Sequence, residues 1–440
     1  MNKKLNYGRT FLIGLAFMSI SIFWQVYDNI IPLILKSSFG LGETVTGVVM
    51  ALDNVLALVL LPIFGTLSDK VDTKLGKRTP FIIVGTVLAV TFMMMLPFAD
   101  KAQSLPWFVA ALFGALVSMG LYRSPAVALM PDLTPNRLRS KANAVINLLG
   151  AVGGVYSLLM IKFLVGKGER PNYVPLFSAI AVFMVVAVAV LVATIREKKL
   201  AAQLAAEEAA EAAGNKEVVQ AGLQETEPEK VGASTVLTPE VKRSMIFMLA
   251  SIFFWFTAYN AVTTAFSRYT VEVWKLESGG FADCLMVATV AAICSYIPIG
   301  FVAGKIGRKK TIMGGVLLMA ACYLMATFVR EYHPIINVAF ALIGVAWASI
   351  NVNSYPMIVA MSKGADIGKF TGTYYTFSMA AQIMTPVLSG FLLENVAYTT
   401  LFPYAIGFSL LAFCTMTQVK HGDVKPQQKE SLLENFDVED

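Results

Sequence analysis

Twelve long apolar runs constrain the fold of this 440-residue chain more than any other feature. A helix needs about 20 apolar residues to cross the hydrocarbon core of a bilayer, and each run is long enough. Hydrophobic residues make up 56% of the chain and charged residues 15%, which excludes an ordinary soluble enzyme. Because backbone polar groups in lipid must be satisfied within each segment, we expect an all-α polytopic membrane protein. The predicted spans begin near residues 9, 42, 80, 106, 140, 174, 244, 279, 311, 335, 368 and 399.

Lysine and arginine residues are unevenly distributed between the segments that connect these spans. With the amino terminus in the cytoplasm, basic residues concentrate in the inside loops, including Lys74, Lys141 and Lys305. This asymmetry predicts a multi-pass cell-membrane protein with both termini cytoplasmic. The formal net charge of +6 then reflects topology and attraction to anionic membrane lipid, and nucleic acid is not expected as a partner.

Other features argue against processing signals and cofactors. The apolar run after Arg9 is too long for a secretory signal peptide and lacks a small-residue cleavage site, so it is predicted to be the first span. The four cysteines fall within predicted spans, while His333 and His421 fall in a loop and the tail. We therefore expect no disulfide framework, metal site or other cofactor.

The composition changes abruptly in the middle of the chain. An amino-terminal six-helix bundle is predicted over residues 1–194, a cytoplasmic linker over 195–243, a carboxy-terminal six-helix bundle over 244–420 and a cytoplasmic tail over 421–440. The Ala- and Glu-rich start of the linker is predicted to be a solvated helix and the remainder to be disordered. We interpret the linker as a tether.

Matching signals at corresponding places indicate that a six-helix unit is duplicated. The second predicted span ends in GTLSDK (65–70), followed by GKR (76–78). The eighth ends in GFVAGK (300–305), followed by GRKK (307–310), with Gly304 in the place of Asp69. Proteins with this 6+6 layout place their substrate near the midplane between the halves and alternate access by rocking one half against the other.

The GTLSDK turn resembles the cytoplasmic signature of the major facilitator superfamily. The segment SD (68–69) with GKRTPFI (76–82) and the segment RSPAVALMPDL (123–133) resemble the corresponding regions of sucrose–proton symporters. More distantly, the chain is similar to the glycoside–pentoside–hexuronide:cation symporters. The resemblance implies two pseudo-symmetric six-helix bundles that act as a monomer and take up a sugar, a disaccharide or other glycoside, with protons.

The chain also departs from these families. The sodium-binding aspartates of the melibiose type align with Ala57 and Leu61, so sodium is the less favoured coupling ion. The sugar-binding aspartate of that type aligns with Arg123, and an aspartate of the plant sucrose carriers aligns with Leu112. If the protein moves protons, another carboxylate has to carry them.

Three charged residues lie inside predicted spans. A charge at the centre of a membrane helix costs about 2.5–3.5 kcal/mol on insertion scales, so one that is present usually serves a pathway. We predict that Asp53 carries the proton and that Asp28 is the second candidate. The planar donors of Arg123 suit sugar hydroxyls or a carboxylate. The alternative is that either aspartate forms a fixed ion pair with Arg123.

Polar and aromatic residues recur at helical spacing on several predicted spans, so they share faces. Amides, hydroxyls and ring faces around a cavity are typical of a sugar site. The alternative is hydrogen bonding between helices, which is common in membrane bundles. The predicted substrate-binding residues are Arg123, Trp24, Gln25, Asn143, Asn147, Trp255, Tyr259, Asn260, Trp347, Asn351, Tyr375 and Gln382.

A cytoplasmic gate is predicted at the end of the second span. Asp69 opposes the dipole of that helix and is expected to find a cationic partner such as Arg137 or Arg139, or another helix amino terminus, when the cytoplasmic side is closed. The alternative is plain positive-inside anchoring. The predicted gate residues are Gly65, Asp69, Lys70, Gly76, Lys77, Arg78, Arg137 and Arg139.

Other functions stay open at this stage. Within transport, the chain could be a facilitator, or an exporter of a drug or amphiphile, although the polar stripes argue against a greasy cavity. A transporter-like sensor or a membrane enzyme is a third class. We do not expect an enzyme, because no nucleophile–base or metal constellation is recognisable.

Overall fold

The computed structural model describes residues 5–135, 138–168, 170–207, 238–361 and 367–424. Within these ranges the regular structure is helical, and twelve helices are long and apolar enough to cross a membrane. The predicted all-α polytopic fold is therefore confirmed. We number the spans α1 (Tyr7–Ser37), α2 (Glu43–Lys70), α3 (Thr79–Lys101), α4 (Leu105–Asp132), α5 (Arg139–Leu164), α6 (Val174–Thr194), α7 (Pro239–Glu272), α8 (Ala282–Ile306), α9 (Arg308–Thr327), α10 (Ile336–Met361), α11 (Ile367–Asn395) and α12 (Leu401–Thr417).

The helix starts agree closely with those expected from hydropathy. The largest difference is at the seventh span, which was expected near residue 244 and begins at Pro239. Polar residues form the extra first turn there, where Pro occupies an early helical position and Glu240 is favourable at a helix amino terminus. Apolar length alone does not detect such a turn.

A further helix at residues 197–207, the linker helix, follows α6. This matches the helix expected at the start of the linker, whereas the disorder expected beyond it concerns residues 208–237, which lie outside the described ranges. Arg137 and residues 425–440 also lie outside them. The exact domain borders stay a prediction.

The helices pack in two groups. In the first, α1 packs against α5 and α3 against α4; in the second, α8 and α9 pack against α10, and α7 against α12. Helices α2 and α11 join the groups, as do α5 and α8. These two joining pairs are equivalent under the exchange of one six-helix unit for the other. Such symmetry is what a duplicated unit produces.

Glycines allow α2 and α11 to approach backbone to backbone. A Cβ at Gly47 would lie 2.1 Å from the carbonyl oxygen of Pro386, and one at Gly390 would lie 2.4 Å from that of Glu43. We call the end of the bundle where α1 begins and α12 ends the terminal end, and the opposite end the distal end. These contacts draw the two halves together at the distal end.

Candidate functional site

A cavity of about 350 Å³ lies between the two halves. Its walls come from α1, α4 and α5 of the first half and from α7, α8 and α10 of the second. The volume is in the range of small-molecule sites, which is about 300–1,000 Å³. The predicted site residues that line it are Trp24, Gln25, Asp28, Arg123, Asn147, Tyr259 and Trp347.

The first half contributes the charged and amide groups of this cavity. Asp28 and Arg123 lie in its wall with Gln25 and Asn147. The α1 face is positioned by close packing on α5, where the hydroxyl of Ser157 donates to the carbonyl of Ile22 at 2.8 Å. Small residues at such a crossing let two membrane helices approach closely, and Gly150 and Gly154 of α5 both line the cavity.

The second half contributes an aromatic and mostly apolar wall. The rings of Tyr259 and Trp347 stack with centroids 3.8 Å apart and planes 8° from parallel. Phe256 packs edge-on against Trp347, with centroids 5.4 Å apart. Ala288 and Ala292 of α8 continue this wall. The result is a broad flat surface opposite the charged wall.

Three polar residues of the lining were missed by the sequence analysis: Ser21, Thr289 and Tyr296. A signal was present, because Thr289 and Tyr296 are two helical turns apart and Ser21 is one turn before Gln25. Each was hidden in a strongly apolar run with few polar neighbours.

Asp53 lies in a smaller pocket of about 10 Å³ that adjoins the cavity. The amide Nδ2 of Asn54 donates to Oδ1 of Asp53 at 2.8 Å. Asp53 is close enough to Arg123 and to Asp28 for their charges to interact. The Arg123 guanidinium carbon lies 5.9 Å from the centroid of the Trp24 ring. The three membrane-embedded charges therefore form one electrostatic group.

Several predicted substrate-binding residues lie elsewhere. Trp255 is fully buried in the helix packing, and its side chain has no exposed surface. Among the described residues, five further predicted ones do not line the cavity: Asn143, Asn260, Asn351, Tyr375 and Gln382.

On the stripes of α10 and α11, polar groups bind each other. The hydroxyls of Tyr355 and Thr371 are 3.0 Å apart, and those of Ser354 and Tyr374 are 3.3 Å apart. Bonding between helices accounts for the hydroxyls of Tyr355 and Thr371, because part of a polar face can turn toward a neighbouring helix instead of a cavity.

The predicted gate residues within the described ranges gather at the terminal end of the first half, where Asp69 pairs with Arg78. Asp69 accepts from Arg78 Nη2 at 2.5 Å, and Asp132 accepts from Nε of the same arginine at 2.8 Å. The expected partner Arg139 instead donates to the carbonyl of Pro131 at 3.0 Å. The turn at Gly76, with φ +119°, directs the chain back toward the end of α2, so that Arg78 is the cation that reaches Asp69. A pairing of Asp69 with Arg137 or Arg139 when the cytoplasmic side is closed stays a prediction.

Arg78 is the centre of this group. It is buried, and its Nη1 donates to the hydroxyl of Ser68 at 2.5 Å and lies 3.5 Å from the carbonyl of Gly65. Burial lowers the pKa of Arg78, but the hydrogen bonds and charges of Asp132 and Asp69 outweigh that effect and raise the pKa overall. The side chains of Lys70 and Lys77 are exposed. Arg78 therefore stays charged and holds α2, α3 and α4 together.

Glu197 of the linker helix was not singled out from the sequence, yet it caps α3. Its carboxylate accepts from the backbone N–H groups of Lys77, Arg78 and Thr79 at 2.7, 2.9 and 2.8 Å. The Thr79 hydroxyl donates to it as well, at 2.7 Å. Four donors satisfy a carboxylate that is only 4% exposed. The available signal was an acidic residue directly after a span, next to a basic loop.

A second ionic group, the distal network, joins the halves at the distal end. Arg268 of α7 donates from Nε to Glu43 of α2 at 2.6 Å, and both are 3% exposed. Nζ of Lys36 lies 3.2 Å from Oε1 of Glu43 and 2.8 Å from Oε1 of Glu272. The Tyr398 hydroxyl donates to Glu43 and accepts from Lys36. This network is not apparent from the sequence, because charges near the ends of spans look like anchors at the membrane interface.

Comparison with known proteins agrees with this architecture. The sequence profile of the Major Facilitator Superfamily matches residues 13–295 and 278–435. The chain is similar to the chloramphenicol resistance protein CraA of Acinetobacter baumannii, with 25% identity over 187 residues that cover 41% of this chain and 43% of that protein. It is also similar to a putative metabolite transport protein of Haemophilus influenzae, with 25% identity over 150 residues that cover 33% of each chain. The matched region thus spans less than half of either relative.

Solved structures share the fold. A peptide transporter POT in complex with sulfate superimposes with a TM-score of 0.65 at 15% identity, covering 94% of both chains. A mutant of the nucleoside transporter NupG gives a TM-score of 0.66 at 12% identity, covering 94% of this chain and 100% of that one. The narrower resemblance to sucrose–proton symporters stays a hypothesis. Since the family profile covers most of the chain, this protein belongs to the Major Facilitator Superfamily.

Proposed function

We propose that the protein is a secondary active transporter that takes up a sugar, a disaccharide or other glycoside, together with protons. The observation that carries the proposal is the cavity shared by both halves, with Asp28 and Arg123 in its wall and Asp53 directly beside it. A single chain encloses this cavity, so a monomer in the lipid bilayer suffices.

Charge balance supports a proton as the coupling ion. Two aspartates and one arginine leave one negative charge in excess when all are ionised, and an uncompensated charge away from bulk water is costly. One bound proton removes this excess. Ala57 and Leu61, at the positions of the sodium-binding aspartates in the melibiose type, offer no side-chain oxygen for sodium.

The lining supports a hydroxylated substrate. Gln25, Asn147 and Arg123 provide hydrogen-bonding groups on one wall, while the stacked Tyr259 and Trp347 rings form a flat surface on the other. Polar groups of this kind match sugar hydroxyls, and aromatic faces cover the apolar C–H patches of a sugar ring.

The positions of the charged groups support alternating access. The distal network and the glycine contacts of α2 with α11 join the halves at the distal end. Basic loops at the terminal end support a cytoplasmic location for that end and for both termini. For the cavity to open on the distal side, Glu43 has to separate from Arg268.

Export of a drug or amphiphile is a second candidate. The α8 and α10 part of the wall, with Ala288, Ala292, Ile293 and Ile343, is apolar. The similarity to a chloramphenicol resistance protein over part of the chain adds to this observation.

Uptake into proteoliposomes separates the two candidates. We would add labelled sucrose, maltose or chloramphenicol under an inward proton gradient, with and without a protonophore. Accumulation of a sugar that collapses with the protonophore would support proton–sugar symport. Movement of chloramphenicol against its gradient, without sugar uptake, would support the export function, and transport of neither would contradict the proposed substrate classes.

Variants of the charged group test the coupling. Asp53→Asn should abolish proton-driven accumulation while sugar exchange across the membrane continues, because the amide binds no coupling proton. Asp28→Asn should weaken sugar binding. Asp72→Asn is the matched control, since Asp72 pairs with Lys198 of the linker helix at 2.9 Å, on the first half and away from the cavity. Undiminished accumulation in Asp53→Asn would rule out its coupling role.

A further inference from the structure

We infer that Trp24 is a movable partition between the substrate cavity and the compartment that holds Asp53, and that it couples access to Asp53 with the presence of substrate. The inference rests on the proposed proton-coupled function. Trp24 is a positioning residue in this scheme: it controls which groups and which water reach the carboxylate.

The two compartments meet at Trp24. Trp24 and Arg123 line both the central cavity and the smaller pocket. Asp28 lines the central cavity, whereas Asp53 lines the smaller pocket together with apolar side chains of α2 and α4 such as Leu56 and Leu116. A space of about 10 Å³ holds roughly one water molecule. The two aspartates are therefore assigned to different environments although their charges interact.

Packing holds the Trp24 ring in place. Its ring contacts Phe23 and Tyr27 edge-on, with centroids 5.3 and 5.4 Å away, and the Arg123 guanidinium lies 5.9 Å from its centroid. The indole Nε1 is buried and, within the described part of the chain, has no hydrogen-bond partner. Burial of an unpartnered donor is unfavourable. Rotation of the ring toward the cavity breaks no hydrogen bond at Nε1 and offers that donor to water or to a substrate hydroxyl.

The charged surroundings are simple enough to make the coupling testable. Among the described residues, the charged side chains that line the two compartments are Asp28 on α1, Asp53 on α2 and Arg123 on α4. Tyr259 and Tyr296 are the tyrosines that face the cavity from the second half. The proton path from the cavity to Asp53 therefore passes the Trp24 ring and the Arg123 guanidinium.

A coupling sequence follows from this arrangement. In this scheme the ring, without substrate, lies between the cavity and Asp53 and limits the water that reaches the carboxylate from the cavity. A substrate hydroxyl that accepts from Nε1 draws the ring toward the cavity, and Asp53 then exchanges its proton with the water there. The partition prevents protons from crossing without substrate.

The proton leak in the absence of substrate measures how well Trp24 separates the two compartments. We would record proton influx into proteoliposomes without substrate for the wild type, Trp24→Phe and Trp24→Ala. We expect a several-fold larger leak for Trp24→Ala, because the two compartments merge, and a near wild-type leak for Trp24→Phe, because a ring remains. Trp347→Ala is the matched control: it removes an aromatic residue of the cavity that does not line the Asp53 pocket, and it should weaken substrate binding without a leak.

Chemical labelling tests the partition without transport. A water-soluble carbodiimide should modify Asp28 and spare Asp53 in the wild type, and it should modify both in Trp24→Ala, as read by mass spectrometry. Glu197, which is buried and bound by four donors, should stay unmodified in a folded variant, and Trp24→Leu replaces Trp24→Ala if the latter does not fold. Equal labelling of Asp53 in wild type and variant, or no leak in a folded variant, would overturn the inference. If the labelling changes as expected while the wild type shows no proton coupling, the partition stands and the proposed function fails.

Discussion

The two halves contain equivalent corners at the terminal end, and they are built differently. In each half, an acidic residue that follows the sixth span lies at the start of the third: Glu197 at α3 and Asp423 at α9. Gly76 and Gly307 make the preceding turns with positive φ angles of 119° and 94°. The duplicated unit thus keeps the same backbone turn and the same kind of cap.

The strength of the cap differs. Glu197 is buried and accepts from three backbone N–H groups, whereas Asp423 is exposed and accepts from the N–H of Lys309 at 3.1 Å. The first corner also contains the Arg78 pairs with Asp69 and Asp132. In the second half, Gly304 occupies the position of Asp69. Both halves thus keep the same turn, whereas the buried cap and the Arg78 pairs occur together in the first half. We call this group of Asp69, Arg78, Asp132 and Glu197 the ionic staple.

The ionic staple links the helices at the terminal end of the first half. Through Arg78 and Glu197 it connects α2, α3, α4 and the linker helix. An exposed pair between Lys198 and Asp72, at 2.9 Å, adds to the same contact. We therefore expect this half to rock as one unit and the second half to deform more easily at its own corner.

The largest effect is expected for Glu197→Ala. Hydrogen bonds to a charged group contribute about 1.5–3 kcal/mol each, so loss of the whole cap should lower stability by more than about 3 kcal/mol. The thermal unfolding midpoint of the purified protein in detergent measures this loss. Lys199→Ala, an exposed neighbour on the linker helix, should leave the midpoint unchanged. Equal midpoints for the two variants would show that the cap contributes little.

Gly76→Ala should have the next largest effect, and Gly307→Ala a smaller one. A left-handed conformation costs a residue with a Cβ about 1–2 kcal/mol, and both variants bear this cost. At Gly76 the new Cβ would also lie 2.3 Å from the Glu197 carboxyl carbon, so the cap would shift. At Gly307 the Asp423 oxygens are 3.0 Å away on an exposed side chain that can move. A larger loss of the unfolding midpoint for Gly307→Ala would reverse the comparison.

Arg78→Gln should destabilise the protein by about 1–3 kcal/mol. The change leaves Asp69 and Asp132 without their common partner, but both carboxylates are partly solvated, at 60% and 40% exposure, which limits the loss. Limited proteolysis of the α2–α3 loop should become faster. Lys77→Gln is the control, because its side chain is exposed while its N–H still binds Glu197. Unchanged proteolysis in Arg78→Gln would contradict a structural role.

Asp423→Asn is expected to have the smallest effect, under about 1 kcal/mol, since exposed ionic contacts contribute little. A direct comparison with Glu197→Gln in the same unfolding assay tests the asymmetry. Losses of equal size would mean that the two caps contribute equally to the stability of the protein.

Some residues of the cavity could be predicted from the sequence, and others could not. Four predicted residues line the cavity: Asp28, Arg123, Tyr259 and Trp347. They could be predicted because a charged or aromatic residue inside an apolar run is visible in the local sequence. Trp255 is one turn from Tyr259 on the same helix, yet it is fully buried. Two residues on the same helix face can differ in environment, because neighbouring helices are packed together at one level of the bundle and separated by the cavity at another. The spacing of residues along one helix does not reveal that level.

The twelve spans, the duplicated layout and the charges that lie within the spans can be recognised from the amino-acid sequence alone. These are local properties, because each membrane helix satisfies its own backbone and its apolar length can be read directly. Other contacts are visible in the tertiary structure alone: Asp69 pairs with Arg78, Glu197 caps α3, Glu43 joins Arg268 across the halves, and Trp24 lines both the cavity and the Asp53 pocket. Such contacts depend on how helices rotate and cross, and side-chain spacing along one helix does not fix the rotation of its neighbour.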